Sequence, residues 1–358
     1  MTIMCTWLEQ LDSYTFIDVR SPKEFNHSHI PGSINIPVLD NIERETIGLL
    51  FNKEGRSKAV NKGFEFLVEK FDSFCDDILS QQSKDIIVTC ARGGLRSGIV
   101  VDLFSDTQKI LNIAEESGTV LSEEFVEKLN RIKPLNIKKL SGGYKQYRNN
   151  VLRKLEKFDY DVEFIVLYGL TGVGKTDILK QLESEGFPVL DLEGCAQHRS
   201  SLFGSVGLQP HSQKMFESLL VEKLDHFKKN NIKKVFIEGE ARKVGFRIIP
   251  EKLFKRMKQG MKVFIEGDIN HRVERTVKEY FDTNEKTNQI TQIIPKLKEV
   301  LGNERIEELL QLMENKEFEK VTKILLEEYY DKRYYVKDMT FSTVVNHRDR
   351  EKLKLLLQ

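Results

Sequence analysis

Only four cysteines, eight prolines and one tryptophan occur in a chain of 358 residues. Cys5, Cys75, Cys90 and Cys195 show neither CxxC pairing nor metal-ligand spacing, so free thiols in a reducing compartment are expected rather than a disulfide framework. Long apolar runs are missing too, and no window approaches a membrane span. The N-terminus, MTIMCTWLEQ, lacks a basic stretch followed by an apolar one. A cytoplasmic protein with no membrane partner is therefore expected. Neither sign of charge dominates: 56 Lys and Arg stand against 55 Asp and Glu, leaving a formal charge of +1. Any nucleic-acid surface must then be a local patch.

The length suggests two or three domains, and 40% hydrophobic with 31% charged residues is the balance of a globular protein. Residues 1–150 alternate strand and helix, with strands at Phe16–Val19, Ile34–Ile36, Ile86–Val88 and Ile137–Leu140. A charged stretch from Tyr144 to Asp161 reads as a helix leaving this first domain. A second α/β unit, residues 151–270, starts with the strand Glu163–Tyr168 and continues through strands near Val189–Asp191, Val235–Glu238 and Val263–Glu266. Residues 271–358 read as a helical subdomain packed on it, because Ile306, Leu309, Leu310 and Met313 fall at helical spacing and Val321, Ile324 and Leu325 continue the pattern.

The run Ile86-Ile87-Val88-Thr89-Cys90-Ala91-Arg92-Gly93-Gly94-Leu95-Arg96-Ser97 takes a strand into a glycine-rich, doubly basic loop around one thiol. With Arg96–Phe104 helical, Cys90 faces a helix N-terminus, where backbone N–H groups and the macrodipole favour negative charge. Its thiolate should be stabilised and nucleophilic, and Arg92 and Arg96 suit an oxyanion ligand. Local spacing fits a sulfurtransferase-type loop and equally a Cys, five residues, Arg, Ser phosphatase loop.

A second constellation, Gly169-Leu170-Thr171-Gly172-Val173-Gly174-Lys175-Thr176, is a complete P-loop pattern between a strand and a helical run. Gly169, Gly172 and Gly174 let backbone N–H groups close on phosphate oxygens, Lys175 supplies a cation, and Thr176 can reach a metal ion. The spacing does not say which phosphate compound binds. Two polar segments, Asp191–Ser201 and Glu238–Gly245, each follow a strand and belong at the carboxyl edge of the sheet, where α/β ligands bind. Asp191, His198, Arg199, Glu238 and Arg242 are the candidates there for support of this second site, with no metal ligand set expected; Glu238, ending an apolar strand, reads either as a metal-organising or water-positioning acid or as a surface strand-end glutamate.

The first domain resembles rhodanese modules in Asp18-Val19-Arg20-Ser21-Pro22, His29-Ile30-Pro31-Gly32, the Cys90 loop and Leu140-Ser141-Gly142-Gly143-Tyr144. A rhodanese followed by a P-loop resembles the tRNA 2-selenouridine synthases. Arg44–Gly48, Phe203-Gly204, Gln209-Pro210, Ser212-Gln213-Lys214 and Tyr329-Tyr330-Asp331-Lys332 carry that likeness across nearly the whole chain. Two departures stand out: Ala91 replaces a frequent aromatic residue, and a stretch around Asp106 to Pro134 is inserted between the loop and Leu140, suggesting an extra helix.

The resemblance implies replacement of sulfur by selenium at the wobble 2-thiouridine of tRNA, with selenophosphate as donor and an S-geranylated intermediate made from geranyl diphosphate. Both compounds are then co-substrates, no tightly bound cofactor is expected, and a need for magnesium does not follow from sequence. The Cys90 loop suits selenophosphate and a selenium-bearing thiolate, while the P-loop suits a diphosphate, prenyl or nucleotide. The anticodon loop of tRNA is the expected partner, and lysines and arginines such as Arg242, Lys243 and Arg247, with the Tyr329 to Lys337 run, offer basic contacts with interleaved tyrosines. The competing reading is a Cys-dependent phosphatase fused to a kinase-like P-loop domain, although Thr89 stands where it would carry a histidine. A docking module without chemistry would not need Cys90.

Overall fold

The computed structural model describes residues 2–3, 14–81, 85–132, 134–239, 241–334 and 339–357; Cys5, Glu240 and Lys337 lie outside them. The chain divides into two compact units, Met1–Lys154 and Leu155–Gln358. The division falls inside the helix Gly143–Lys157.

The first unit is built on five parallel strands, β1 (Thr2–Ile3), β2 (Thr15–Asp18), β3 (Ile34–Asn35), β4 (Asp85–Thr89) and β5 (Asn136–Leu140), in the order β1-β5-β4-β2-β3. The central strands are apolar along their length because helices cover both faces of a parallel sheet. Ile17, Ile86 and Val88 are buried with Phe64, Leu103 and Phe104 from the helices. The inserted stretch forms two helices rather than one, Thr107–Ser117 and Glu123–Arg131. Gly118, left-handed at φ 73°, ends the first, and the Ser122 hydroxyl caps the second by accepting from the Phe125 N–H. Ile110, Ala114, Phe125 and Leu129 join the same core, and the Phe125 ring meets Phe71 edge-on at 4.7 Å. The insertion is therefore part of the hydrophobic core of this unit.

The second unit carries another parallel sheet, with β6 (Glu163–Tyr168), β7 (Val189–Leu190), β8 (Lys234–Glu238), β11 (Met261–Glu266) and β12 (Thr343–Asn346) in the order β12-β11-β6-β8-β7. A small antiparallel hairpin, β9 (Lys243–Val244) with β10 (Arg247–Ile248), leaves β8. Residues 269–333 are largely helical, and the face Ile306, Leu309, Met313, Val321 and Leu325 is buried as its spacing predicts. The expectation of a helical subdomain over residues 271–358 misses one strand: β12 returns to the sheet beside β11, pairing Val263 with Thr343 through Glu266 with Asn346. Four residues are too few to show a period, and their partner strand lies far back in the sequence. No helix among the described residues is long and apolar enough to cross a membrane.

Candidate functional site

At the end of β4, Cys90 is 3% exposed, and the helix Leu95–Ser105 begins five residues later. Gly94 at the helix cap has no side chain to satisfy the first amides. The Cys90 sulfur lies 3.2 Å from the Ser97 hydroxyl. Burial opposes the thiolate more strongly than any single contact favours it. The Ser97 hydroxyl, the N–H groups of Ser97 and Arg92, and the Arg96 charge together outweigh it, so the thiol sits below the ordinary cysteine value. The other described cysteines behave oppositely: burial, with Asp72 and Asp76, pushes Cys75 up to about 12, and burial pushes Cys195 higher still. All three are free.

The rhodanese-like signatures close around this loop. Tyr144 and Lys145 donate their N–H groups to the carbonyls of Cys90 and Ala91, at 2.8 and 3.0 Å. Gly143 makes this possible: at φ 57° it packs on the Cys90 carbonyl and the Gly93 nitrogen, where a Cβ would overlap both. Arg20 is buried in a two-point pair with Asp18, donates to the Ser28 carbonyl at 2.7 Å and lies 4.1 Å over the Tyr144 ring. The two arginines of the loop differ. Arg96 is held by Glu24 at 2.7 and 3.2 Å, while Arg92 is exposed. Burial would raise the Glu24 carboxyl, but Arg96, the Ser21 N–H and Arg44 hold it below its usual value. Gly143→Ala is expected to destabilise the protein by about 1–3 kcal/mol, read as a lowered thermal midpoint, because the added Cβ must displace the Cys90 loop from a left-handed position.

In the second unit the P-loop links β6 to the helix Lys175–Ser184, with Gly172 at φ 83° and Gly174 at φ 96°. The Lys175 ammonium donates to the Gly169 carbonyl at 2.7 Å, and the Gly169 N–H donates to the Tyr334 hydroxyl at 2.9 Å. Thr176 donates to Glu193 at 2.8 Å, and these two are the residues that could hold a cation beside the loop. Asp191 caps the short helix Leu192–Ala196 through the Gly194 N–H. Glu238 is fully buried at the end of β8 and accepts from the Leu192 N–H at 2.9 Å, so it is no solvated strand-end carboxylate. Its burial, with the charges of Asp191 and Glu193 beside it, pushes its carboxyl well above the usual range.

A cavity of about 360 Å³ opens on the P-loop. Gly172, Gly174, Lys175 and Thr176 form one wall, and Arg199 and Arg275 add cations that share Glu279, at 2.6 and 2.9 Å. The remaining wall is apolar and aromatic. Phe203, Phe281 and Ile290 meet Leu325, Leu326 and Tyr330 from the wide π-helical turn Leu325–Tyr330. Arg272, 3% exposed, joins the two walls: its Nε donates to the Thr171 carbonyl at 2.8 Å, and its remaining nitrogens grip Asp331 at 2.6 and 2.9 Å. Of the supporting residues predicted, only Arg199 lines this cavity. Asp191 and Glu238 stand behind it, and Arg242 starts the hairpin. His198 is buried under that hairpin, and its burial, with Arg247 and Arg199 nearby, lowers its value from that of a free imidazole.

Comparison with known proteins matches residues 162–357, more than half of the chain, to the tRNA 2-selenouridine synthase AAA domain, and residues 6–150 to the rhodanese-like domain. The chain belongs to the tRNA 2-selenouridine synthase family. A tRNA 2-selenouridine synthase of Nitrosomonas eutropha is 30% identical over 270 residues, covering 74% of this chain and 62% of its own length. One of Pseudomonas putida (strain W619) is 31% identical over 285 residues, covering 77% of this chain and 69% of its own.

Membership gives the scattered family stretches a structural meaning. Tyr329–Lys332 supplies the π-helical wall and the Asp331 end of the Arg272 link. Ser212–Lys214 caps the helix Gln213–Lys229 and sends the Gln213 side chain to the hairpin. Arg275, Glu279 and Tyr280 are among the cavity residues that sequence reasoning missed, and Arg272 beside them ties the P-loop to Asp331. They sit on the helix Ile269–Tyr280, whose charged residues look like any solvated face until the fold brings Thr171 and Asp177 against them. Their only legible signal was the family stretch containing Asp331.

Proposed function

We propose that the chain replaces sulfur by selenium at a wobble 2-thiouridine of tRNA in two steps, one in each unit. In the second unit geranyl diphosphate is bound in the P-loop cavity. The observation that carries this reading is the pairing of walls: a phosphate cradle with Lys175 continues into a surface of Phe, Leu, Ile and Tyr. A diphosphate suits the first and a ten-carbon chain the second, whereas a nucleotide would leave the apolar wall unmatched. The thiocarbonyl sulfur attacks C1 of the geranyl group, a C–S bond forms, the C–O bond breaks and diphosphate leaves.

Selenophosphate belongs to the Cys90 loop in this reading. The Cys90 thiolate attacks C2 of the alkylated base, the C2–S bond to the geranyl sulfur breaks and geranylthiol departs with a proton; the selenium of selenophosphate then attacks C2, the bond to Cys90 breaks to return the thiolate, and water releases phosphate from selenium. Alkylation comes first because a thioether leaves more readily than a bare thiocarbonyl sulfur. The competing phosphatase reading asks Arg96 to hold a phosphate, and its two bonds to Glu24 speak against it.

The test uses purified protein and an RNA hairpin bearing 2-thiouridine at the wobble position, read by mass spectrometry of nucleosides. Geranyl diphosphate alone is expected to add one geranyl group, and selenophosphate then to convert the product to 2-selenouridine. Selenium incorporation that needs no geranyl diphosphate would remove the first step, and no modification under any condition would remove the whole reading.

A further inference from the structure

Beyond β8 the chain lines the cavity with Gly239 and Ala241 and then turns at once into the β9–β10 hairpin. Its tip is Gly245-Phe246. The Phe246 ring is 86% exposed and Ile248 beside it 47%.

The hairpin that carries this exposed ring is held in place. Gly245, at φ 57°, rests on the buried His198 ring, where a Cβ would overlap, and the Phe246 ring meets His198 edge-on with centroids 6.4 Å apart. Gln213 brackets Ile248 by donating to its carbonyl at 2.9 Å and accepting from its N–H at 2.8 Å. Arg247 donates to the His211 carbonyl, and the Ile249 N–H closes on the Arg242 carbonyl at 3.0 Å. These contacts fix the hairpin backbone that presents the ring, which spares part of the ordering cost when something flat lands on it.

The charge around the ring narrows what that is. From Ala241 to Ile248 the chain has Arg242, Lys243 and Arg247 and no acid, and Arg242 and Lys243 are exposed. One ring and one isoleucine are far less apolar surface than a stable protein interface buries. A single unpaired nucleobase needs one ring, and the phosphates on either side of it need cations.

We propose that Phe246 is a stacking platform for an unpaired base of the RNA substrate, with Arg242 and Lys243 on the flanking phosphates, set beside the P-loop cavity. It rests on the reading that the chain acts on tRNA. The hairpin takes a splayed-out base and leaves paired RNA to the cations alone.

Binding of the full-length protein to two labelled RNAs tests this: a hairpin with a single-stranded loop, and a fully paired duplex of the same length, both followed by fluorescence anisotropy at fixed salt. Phe246→Ala is expected to weaken loop binding roughly ten-fold while leaving the duplex affinity and the thermal midpoint unchanged. Phe246→Trp should keep loop affinity, and its indole emission should be quenched as the base stacks. Replacing Arg242 and Lys243 together by alanine should weaken both RNAs and flatten the salt dependence. Loop binding by Phe246→Ala at wild-type strength, or an indole in Phe246→Trp that is blind to RNA, overturns the platform alone. Failure of the wild-type protein to bind either RNA brings down the tRNA reading and this inference with it.

Discussion

Cys90→Ser is expected to abolish selenium incorporation while tRNA binding and fold survive. The exchange of sulfur for oxygen at a 3%-exposed position changes little in volume, and the Ser97 hydroxyl still has a partner 3.2 Å away. What is lost is ionisation. A serine hydroxyl cannot form an anion near neutral pH, whereas the Ser97 and Arg92 contacts bring the Cys90 thiol below its ordinary value. The same physics fixes a pH dependence. A thiol lowered in the folded protein stays ionised until the pH falls through that lowered value, so selenation should fall on the acid side at a pH below the ~8.5 of a free cysteine. Nucleoside mass spectrometry across pH checks both statements. Full 2-selenouridine formation by Cys90→Ser, or an acid limb at or above the free-cysteine value, would sink the assignment.

Lys175→Ala is expected to weaken binding of geranyl diphosphate by roughly ten- to a hundred-fold, the worth of a charge-assisted hydrogen bond to a phosphate. The backbone cradle survives, because Gly172 and Gly174 hold its shape without Lys175. The lysine spans the loop to the Gly169 carbonyl at 2.7 Å, so its ammonium stands over the loop that the proposed diphosphate would occupy. Calorimetry with geranyl diphosphate, inorganic diphosphate and ATP separates the sources of affinity. The first two should lose similar factors on mutation, since the apolar wall of Phe203, Leu325 and Leu326 is untouched. Unchanged affinity for all three would show that the P-loop takes no part in ligand binding.

Local chemistry carried most of what the sequence determines here. Cys90 with its glycines, the P-loop spacing and the short parallel strands are readable because each depends on neighbours within a few residues. Glycine at a left-handed position, an apolar strand and a phosphate cradle leave marks at fixed offsets. Tertiary structure decided the rest, wherever partners are distant in the chain. It tied Arg96 to Glu24 and left Arg92 exposed, although the two arginines look alike in the loop. It brought β12 back beside β11 and built two core helices from the insertion. It also buried Arg272 between Thr171 and Asp331, turning an unremarkable helix into a cavity wall. Pairings of this kind are set by packing the whole unit at once, and no local period records them.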